Sequence, residues 1–214
     1  MSVTRATLRR HYREQYLRFQ RAQENLTQII NSVLEDFGPS QNIRPTPLVE
    51  HSVKEFVSFW EKAQEFERKG RVSCADDCFV EIHDLARARV ICQTIGDAER
   101  IRRLMEERDN ILFTNAKVQV HAPGPGVVSS GYRAIHLDLE IDAPFMGKQV
   151  ATPCELQVVT ALQYAWGLYT HKDFYKSANV PPLVGDLMSE LSNLLNVADQ
   201  VAGHLIREVE SRAA

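Results

Sequence analysis

No run of apolar residues in this 214-residue chain approaches the roughly 18 needed to cross a bilayer. The opening MSVTRATLRRHYREQY lacks the apolar stretch of a secretory signal, so a cytoplasmic protein is expected. Cysteines are few and irregularly spaced: Cys74, Cys78, Cys92 and Cys154. Reduced thiols are therefore expected rather than a disulfide framework. Cys74 and Cys78 sit four apart in CADDC, but no second Cys/His pair at metal-ligand spacing follows, which argues against zinc. Positive charge is not in excess either: the formal net charge is -3, which excludes a protein that coats nucleic acid over its whole surface but permits a local basic patch. Repeats and low-complexity tracts are absent. What remains, 44% hydrophobic and 25% charged residues, is enough for one core, and a single domain over 1–214 is expected.

From Thr4 to Phe37, residues such as Leu8, Tyr12, Tyr16, Phe19, Leu26, Ile30 and Val33 recur at helical spacing, which predicts one long amphipathic helix, broken at most once. Its first part carries Arg5, Arg9, Arg10, Arg13, Arg18 and Arg21 against the acid Glu14, and Gly38-Pro39 closes the pattern. SVKEFVSFWEKAQEFERKG, with Phe56, Phe59, Ala63 and Phe66 on one face, predicts a second helix ending at Gly70. Phe79, Val80 and Ile82, and then Ala88, Val90 and Ile91, read as strand, with a helix from Asp97 to Arg108. Strands follow at Lys117 to Ala122 and Arg133 to Ile141, separated by the glycine-rich PGPGVVSSG, and then at Cys154 to Val159. Ala161 to Tyr169 reads as a helix, and beyond Pro181-Pro182 an apolar stripe predicts a terminal helix over 183–209.

Acids beside predicted strands are costly to bury unless a cation pairs with them. Asp84, opening DLARARVIC, and Glu155, in CELQVVT, are such acids. Two carboxylates converging on Mg²⁺ would suit phosphoryl transfer; equally, either acid could end a strand or pair with an arginine. The adjacent His83 and Asp84 resemble phosphohydrolase ligands, but no further His/Asp cluster supports hydrolysis. Lys54 and Lys62, eight apart on the second helix, would lie near one face and reach one polyphosphate, or simply be solvated. Tyr132, beside Gly131, either stacks on a base or staples its loop to the sheet.

In order and spacing these segments resemble the RelA/SpoT synthetase family, especially its small stand-alone members, over about Tyr12 to Lys176. SVKEFVSFWEK is similar to the ATP-binding R-V-K-S-x-x-S-I-x-x-K, with Lys54, Ser58 and Lys62 in place and Ser52 where arginine is usual. Asp84 to Arg89 matches Asp-x-x-x-x-Arg, and GYRAIH matches G-Y-[RQ]-S-[IL]-H. Glu155, Gln157, Thr160, Trp166, His171, Tyr175 and Lys176 match E-[IV]-Q-[IL]-R-T, W-A-x-x-E-H and Y-K.

The resemblance implies an α/β (α+β) nucleotidyltransferase-like fold, a mixed five-stranded sheet flanked by helices. It also implies transfer of the β,γ-pyrophosphate of ATP to a ribose 3′-hydroxyl, that is, (p)ppGpp synthesis from GDP or GTP. In that reading Asp84 and Glu155 bind Mg²⁺ and Glu155 activates the hydroxyl. Lys54, Ser58 and Lys62 hold ATP phosphates and Arg89 stacks on adenine. Tyr132, His136 and Gln157 line the acceptor side. Two departures concern the acceptor: Val159 stands where the family has the arginine of its R-T pair, and GVVSSGY carries Val128 or Ser129 where a lysine is usual. Loss of two charge-assisted phosphate contacts, each worth about 1.5 to 3 kcal/mol, would weaken a free diphosphate acceptor. Toxin members of the family modify the tRNA 3′ end, and Arg5, Arg9, Arg10 and Arg13 offer sequence-independent contacts to such an acceptor, or a solvated helix face. A catalytically weak domain that binds nucleotide or protein is the third reading. The leucine stripe suggests a homo-oligomer by resemblance to small family members, and an antitoxin is a further partner to consider.

Overall fold

The computed structural model describes residues 3–37, 48–108, 112–120, 133–171 and 181–213. In chain order the elements are α1 (Arg5–Phe37), β1 (Leu48–Val53), α2 (Phe56–Arg68), α3 (Ala75–Glu81), β2 (Ala86–Cys92) and α4 (Ile95–Glu106). They continue with β3 (Leu112–Val120), β4 (Arg133–Phe145), β5 (Lys148–Thr160), α5 (Ala161–His171) and α6 (Pro182–Ala213). The strands form one mixed five-stranded sheet in the order β1-β2-β5-β4-β3, with β2 and β5 parallel and the other pairs antiparallel.

Strand alternation gives the sheet two unlike faces. On one face Ala86, Ala88, Val90, Leu137, Leu139, Cys154, Leu156 and Val158 are buried, and α1 covers them with Leu8, Phe19, Leu26, Ile30 and Val33. Each large side chain buried this way contributes about 1.5 to 3 kcal/mol. The phenyl rings of Phe19 and Phe59 lie 5.9 and 5.1 Å from that of Phe79, which ties α1, α2 and α3 into one core. Arg18 donates to Thr152 Oγ1 at 3.0 Å and Arg21 to the Pro144 carbonyl at 2.6 Å. These two arginines of the basic stretch therefore fasten α1 to the sheet, while Arg5, Arg9, Arg10 and Arg13 stay exposed.

The other face is polar. A tight turn with positive φ at Met146 (50°) and Gly147 (77°) joins β4 to β5, the backbone demanded by a two-residue hairpin loop. That hairpin fixes the register that sets His136 opposite Gln157 and Asp138 opposite Glu155. The parallel pairing sets Arg87 beside Glu155 and Arg89 beside Gln157.

Two expectations fail. Phe79, Val80 and Ile82 are not strand: Ala75 to Glu81 form α3, with Cys78 and Phe79 buried and Val80 65% exposed. The Asp77 carboxylate accepts from the backbone N–H groups of Ser73 and Cys74 at 2.7 and 3.0 Å and so closes the first turn. Residues 48–53, partly assigned to the second helix, instead make the edge strand β1, and the helix starts only at Phe56. The terminal helix runs from Pro182 to Ala213. Trp166 Nε1 donates to the Met188 carbonyl at 3.4 Å, and Thr160 donates to Asp199 Oδ2 at 2.7 Å. These contacts dock α6 on α5 and on the end of β5, while Leu187, Leu194, Val201 and Leu205 remain outward. Among the described residues no helix is long and apolar enough to cross a membrane.

Candidate functional site

Asp84 sits in a single helical turn, His83–Leu85, just before β2, with φ -88° and ψ 25°, a sparsely populated backbone region. Lys54 follows β1 directly. Its backbone N–H donates to the Leu85 carbonyl at 2.8 Å and its own carbonyl accepts from the Tyr12 hydroxyl at 2.6 Å. Lys54 Nζ reaches Asp84 Oδ2 at 2.8 Å, and Lys62 Nζ, from α2, stands 3.1 Å from Oδ1. The two lysines thus converge as expected, though not along one helix face: Lys54 lies before the helix and Lys62 within it. Ser58 lies one turn before Lys62 on α2. Lys54 and Asp84 are only 9% and 8% exposed, so charge on either needs a partner. Burial pushes the Asp84 carboxyl pKa up, but the charges of Lys62 and Lys54 outweigh it and hold the carboxyl below its usual value.

Glu155 occupies the polar face of β5. His136 Nδ1 lies 3.0 Å from Oε1, and Gln157 Nε2 donates to Oε2 at 2.7 Å. Burial raises the Glu155 pKa, as does the Asp84 charge, yet the His136 and Gln157 contacts prevail and hold it low. The turn that carries Asp84 packs against β5 and leads into β2, its parallel neighbour, which brings the two carboxylates into one region. Gln157 is held at its other end, where Arg89 donates to Oε1 from Nε at 3.1 Å and from a terminal nitrogen at 2.8 Å. Arg89 is braced further by Glu50 Oε2 at 3.6 Å and by the Tyr164 ring, 5.4 Å from its guanidinium carbon; Tyr164 donates its hydroxyl to Glu50 at 2.6 Å. A continuous polar row therefore runs from Tyr164 through Arg89 and Gln157 to Glu155 and His136.

The donor set suits a hard cation. Asp84, in the turn before β2, and Glu155, on β5, offer carboxylate oxygens, and no group of three or more His, Cys, Asp or Glu side chains forms a dedicated metal cage among the described residues. Two carboxylates with the remaining positions left to phosphates and water is the usual manner of holding Mg²⁺, so the residues fit that ion. The zinc and His83-Asp84 hydrolase alternatives gain nothing: Cys78 is buried, and His83 Nδ1 faces Asp138 at 3.9 Å.

A family model described as "Region found in RelA / SpoT proteins" matches residues 51–180, which contain Lys54, Lys62, Asp84, Arg89, His136, Glu155 and Gln157. The chain belongs to the RelA/SpoT family. It is 25% identical over 163 residues, 76% of either chain, to the GTP pyrophosphokinase YwaC of Bacillus subtilis. The fold is similar to that of small alarmone synthetase 1 from Bacillus subtilis. With the structure bound to its product pppGpp the TM-score is 0.78 at 19% identity, covering 93% of this chain and 98% of that one. With the structure bound to AMPCPP it is 0.75 at 20%, covering 94% and 99%.

Of the residues expected from the sequence, Lys54, Lys62 and Asp84 form one ion-paired cluster, and Arg89, Gln157, Glu155 and His136 form one polar row on the neighbouring strands. Tyr132, Tyr175 and Lys176 lie outside the described residues, as does the side chain of His171. Thr160 and Trp166, matched by motif, hold helices rather than line the pocket. His51, next to Ser52, pairs with Ala88 and so lies on the opposite face from Arg89. Three residues were missed: Asp138, Glu50 and Tyr164. The alternation His136, Leu137, Asp138, Leu139 carried the signal for Asp138; Glu50 needed the register of β1, and Tyr164 needed the packing of α5. Val159 shares the face of Glu155 but is buried with Ile91 and Ala134 beneath Tyr164, an apolar plug at the end of the polar row.

Proposed function

We propose that this RelA/SpoT chain is an ATP-dependent pyrophosphokinase that transfers the β,γ-pyrophosphate of ATP to the 3′-hydroxyl of a guanine nucleotide, producing (p)ppGpp. The observation that carries the reading is the pairing of the Lys54–Lys62–Asp84 cluster with Glu155 in one pocket. Ammonium groups 2.8 and 3.1 Å from a buried carboxylate are pre-positioned for a polyphosphate, whose greater charge competes for them and frees Asp84 for another ligand. Glu155, ionised at neutral pH and steered by His136 and Gln157, accepts the proton of the attacking hydroxyl. The 3′-oxygen forms its bond to the β-phosphorus as the bond from that phosphorus to the α,β-bridging oxygen breaks, and AMP leaves. Bound Mg²⁺, held by Asp84 and Glu155, would neutralise phosphate charge. The likeness to a synthetase carrying pppGpp and AMPCPP supports the same nucleotide classes here.

The buried Val159 favours a second acceptor, the 3′ end of tRNA, which presents a terminal hydroxyl without a free diphosphate. The exposed Arg5, Arg9, Arg10 and Arg13 would supply phosphate contacts to the rest of that molecule.

Incubation with γ-labelled ATP and Mg²⁺, beside GDP, GTP or bulk tRNA, separates the readings. Label in a guanosine nucleotide is the expected result. Label on RNA that a periodate-blocked 3′ end abolishes would move the acceptor to tRNA, and no transfer to any of them would leave a binding domain.

A further inference from the structure

Resting on the pyrophosphokinase reading, we infer that Asp199 is a positioning residue for the nucleotide site: from α6 it fixes the first turn of α5, and through Tyr164 that turn sets Arg89. The inward stripe of α6 is not the apolar one. Gly185, Ser192 and Asp199, seven apart, are buried there, the last two to 1% exposure, while Leu187, Leu194, Val201 and Leu205 face outward. A buried carboxylate is a costly way to hold a helix, and an apolar side chain of similar size would hold it as well or better. What Asp199 adds is direction, because its bonds end on particular atoms.

Those atoms lie at the junction of β5 and α5. Thr160, the last residue of β5, donates its hydroxyl to Asp199 Oδ2 at 2.7 Å and accepts the Gln163 backbone N–H at 3.2 Å. It is thus the N-cap of α5, satisfying one of the N–H groups that the start of a helix leaves without an internal partner. Gln163 Nε2 donates to the same Asp199 oxygen at 3.5 Å. The first turn of α5 contains no acid of its own. The carboxylate that suits the positive end of its dipole comes instead from α6.

Tyr164 follows Gln163 and ends that turn. Its hydroxyl donates to Glu50 at 2.6 Å, and its ring lies 5.4 Å from the Arg89 guanidinium carbon. Arg89 passes the constraint on, since it donates twice to Gln157 Oε1 and Gln157 donates to Glu155. A path of direct contacts therefore joins α6 to the polar row. It does not run through Lys54 or Lys62, which follow β1 and sit on α2. Loosening Asp199 is thus expected to disturb what Arg89 holds and to spare the phosphate cluster.

The test compares two ligands, ATP and inorganic tripolyphosphate, each with Mg²⁺, by titration calorimetry on the full chain well below its melting temperature. Asp199→Asn keeps the shape of the side chain and removes its charge. It is expected to weaken ATP roughly 3- to 10-fold, within the range of a charge at a helix end, and to leave tripolyphosphate unchanged. Tyr164→Ala, which leaves α6 and its bonds in place, is expected to weaken ATP by a similar factor. Asp199→Asn added to Tyr164→Ala is expected to cost less than about 2-fold more, because the path is already cut. Unchanged ATP binding in either single variant, equal loss of both ligands in Asp199→Asn, or losses that multiply in full would each overturn the positioning role; an Asp199 that merely stabilises the fold gives one of these. Those results leave the pyrophosphokinase reading standing as long as Lys54→Ala weakens ATP and tripolyphosphate together. A parent protein that binds neither ligand would sink the reading and the inference at once.

Discussion

Asp84→Asn, measured without nucleotide or divalent cation, tests the ion-paired cluster on which the functional reading rests. The side chains of Lys54 and Asp84 are 11% and 12% exposed, that of Lys62 32%. Removal of the carboxylate charge strands Lys54 in a buried position, while Lys62 can turn to solvent. Breaking a buried pair costs about 3 to 5 kcal/mol, and with one ammonium able to rehydrate the lower end applies, about 3 kcal/mol. For a chain of this size that is a fall in Tm of about 6 to 12 °C at pH 7. The effect has a sign in pH. The folded carboxyl pKa is lowered, so its stabilisation is fully present above the unfolded value, about 3.9, and is lost as pH falls through the folded value. The gap between parent and variant, read by urea unfolding, must then shrink below about pH 4. Lys54→Met completes a double-mutant cycle whose coupling should be about 1 to 3 kcal/mol. An Asp84→Asn protein that melts within about 1 °C of the parent at pH 7, or a gap that persists at acid pH, would refute the pairing.

Glu155→Gln should lower label transfer by about 10²- to 10⁴-fold, the usual contribution of a general base, while the melting temperature shows the fold intact; transfer at the parent rate would remove Glu155 from the chemistry. A thiol reagent at pH 8 should modify Cys74 in seconds to minutes and the other three cysteines only on unfolding. Cys74 is exposed, whereas burial pushes Cys78 up to about 11 and Cys92 and Cys154 up to about 12. Light scattering should give more than one chain per particle, because the α6 stripe of Leu187, Leu194, Val201 and Leu205 is 51% to 68% exposed, and Leu194→Glu should reduce the particle to a monomer.

Periodicity found the long helices because it is strong there: α1 buries Leu8, Phe19, Leu26 and Ile30 on one stripe, and α6 repeats leucine at helical steps. It misread Phe79 to Ile82 because four apolar-rich residues fit either period, and the arbiter was the Asp77 carboxylate closing a helical turn. It missed β1 because LVEHSV is an edge strand whose alternation is cut short by the helix two residues later. The acids Asp84 and Glu155 were legible since each interrupts an apolar run. Glu50 was not: its contacts with Arg89 and Tyr164 depend on the pairing of β1 with β2, and pairing between strands more than thirty residues apart leaves no local trace.

The two ends of the polar face differ in physical character, and that difference bears on the substrate. At the donor end of the proposed site, Arg89, Lys54 and Lys62 are all supplied with hydrogen-bonding or charged neighbours before any ligand arrives, so little reorganisation would be needed to receive a triphosphate. Beyond Gln157 the same face turns dry, with Val159, Ile91 and Ala134 closed over by Tyr164. An arginine placed at Val159 would have to displace that packing and bury its charge, so a cation there cannot be had by exchange of one side chain. Under the proposed function, acceptor discrimination would then come from groups around His136 and Glu155 that recognise the ribose and its hydroxyl rather than from a strong grip on a terminal phosphate. Such a site would tolerate acceptors that differ at the 5′ end, which is why guanine nucleotides and an RNA terminus have to be compared in one assay.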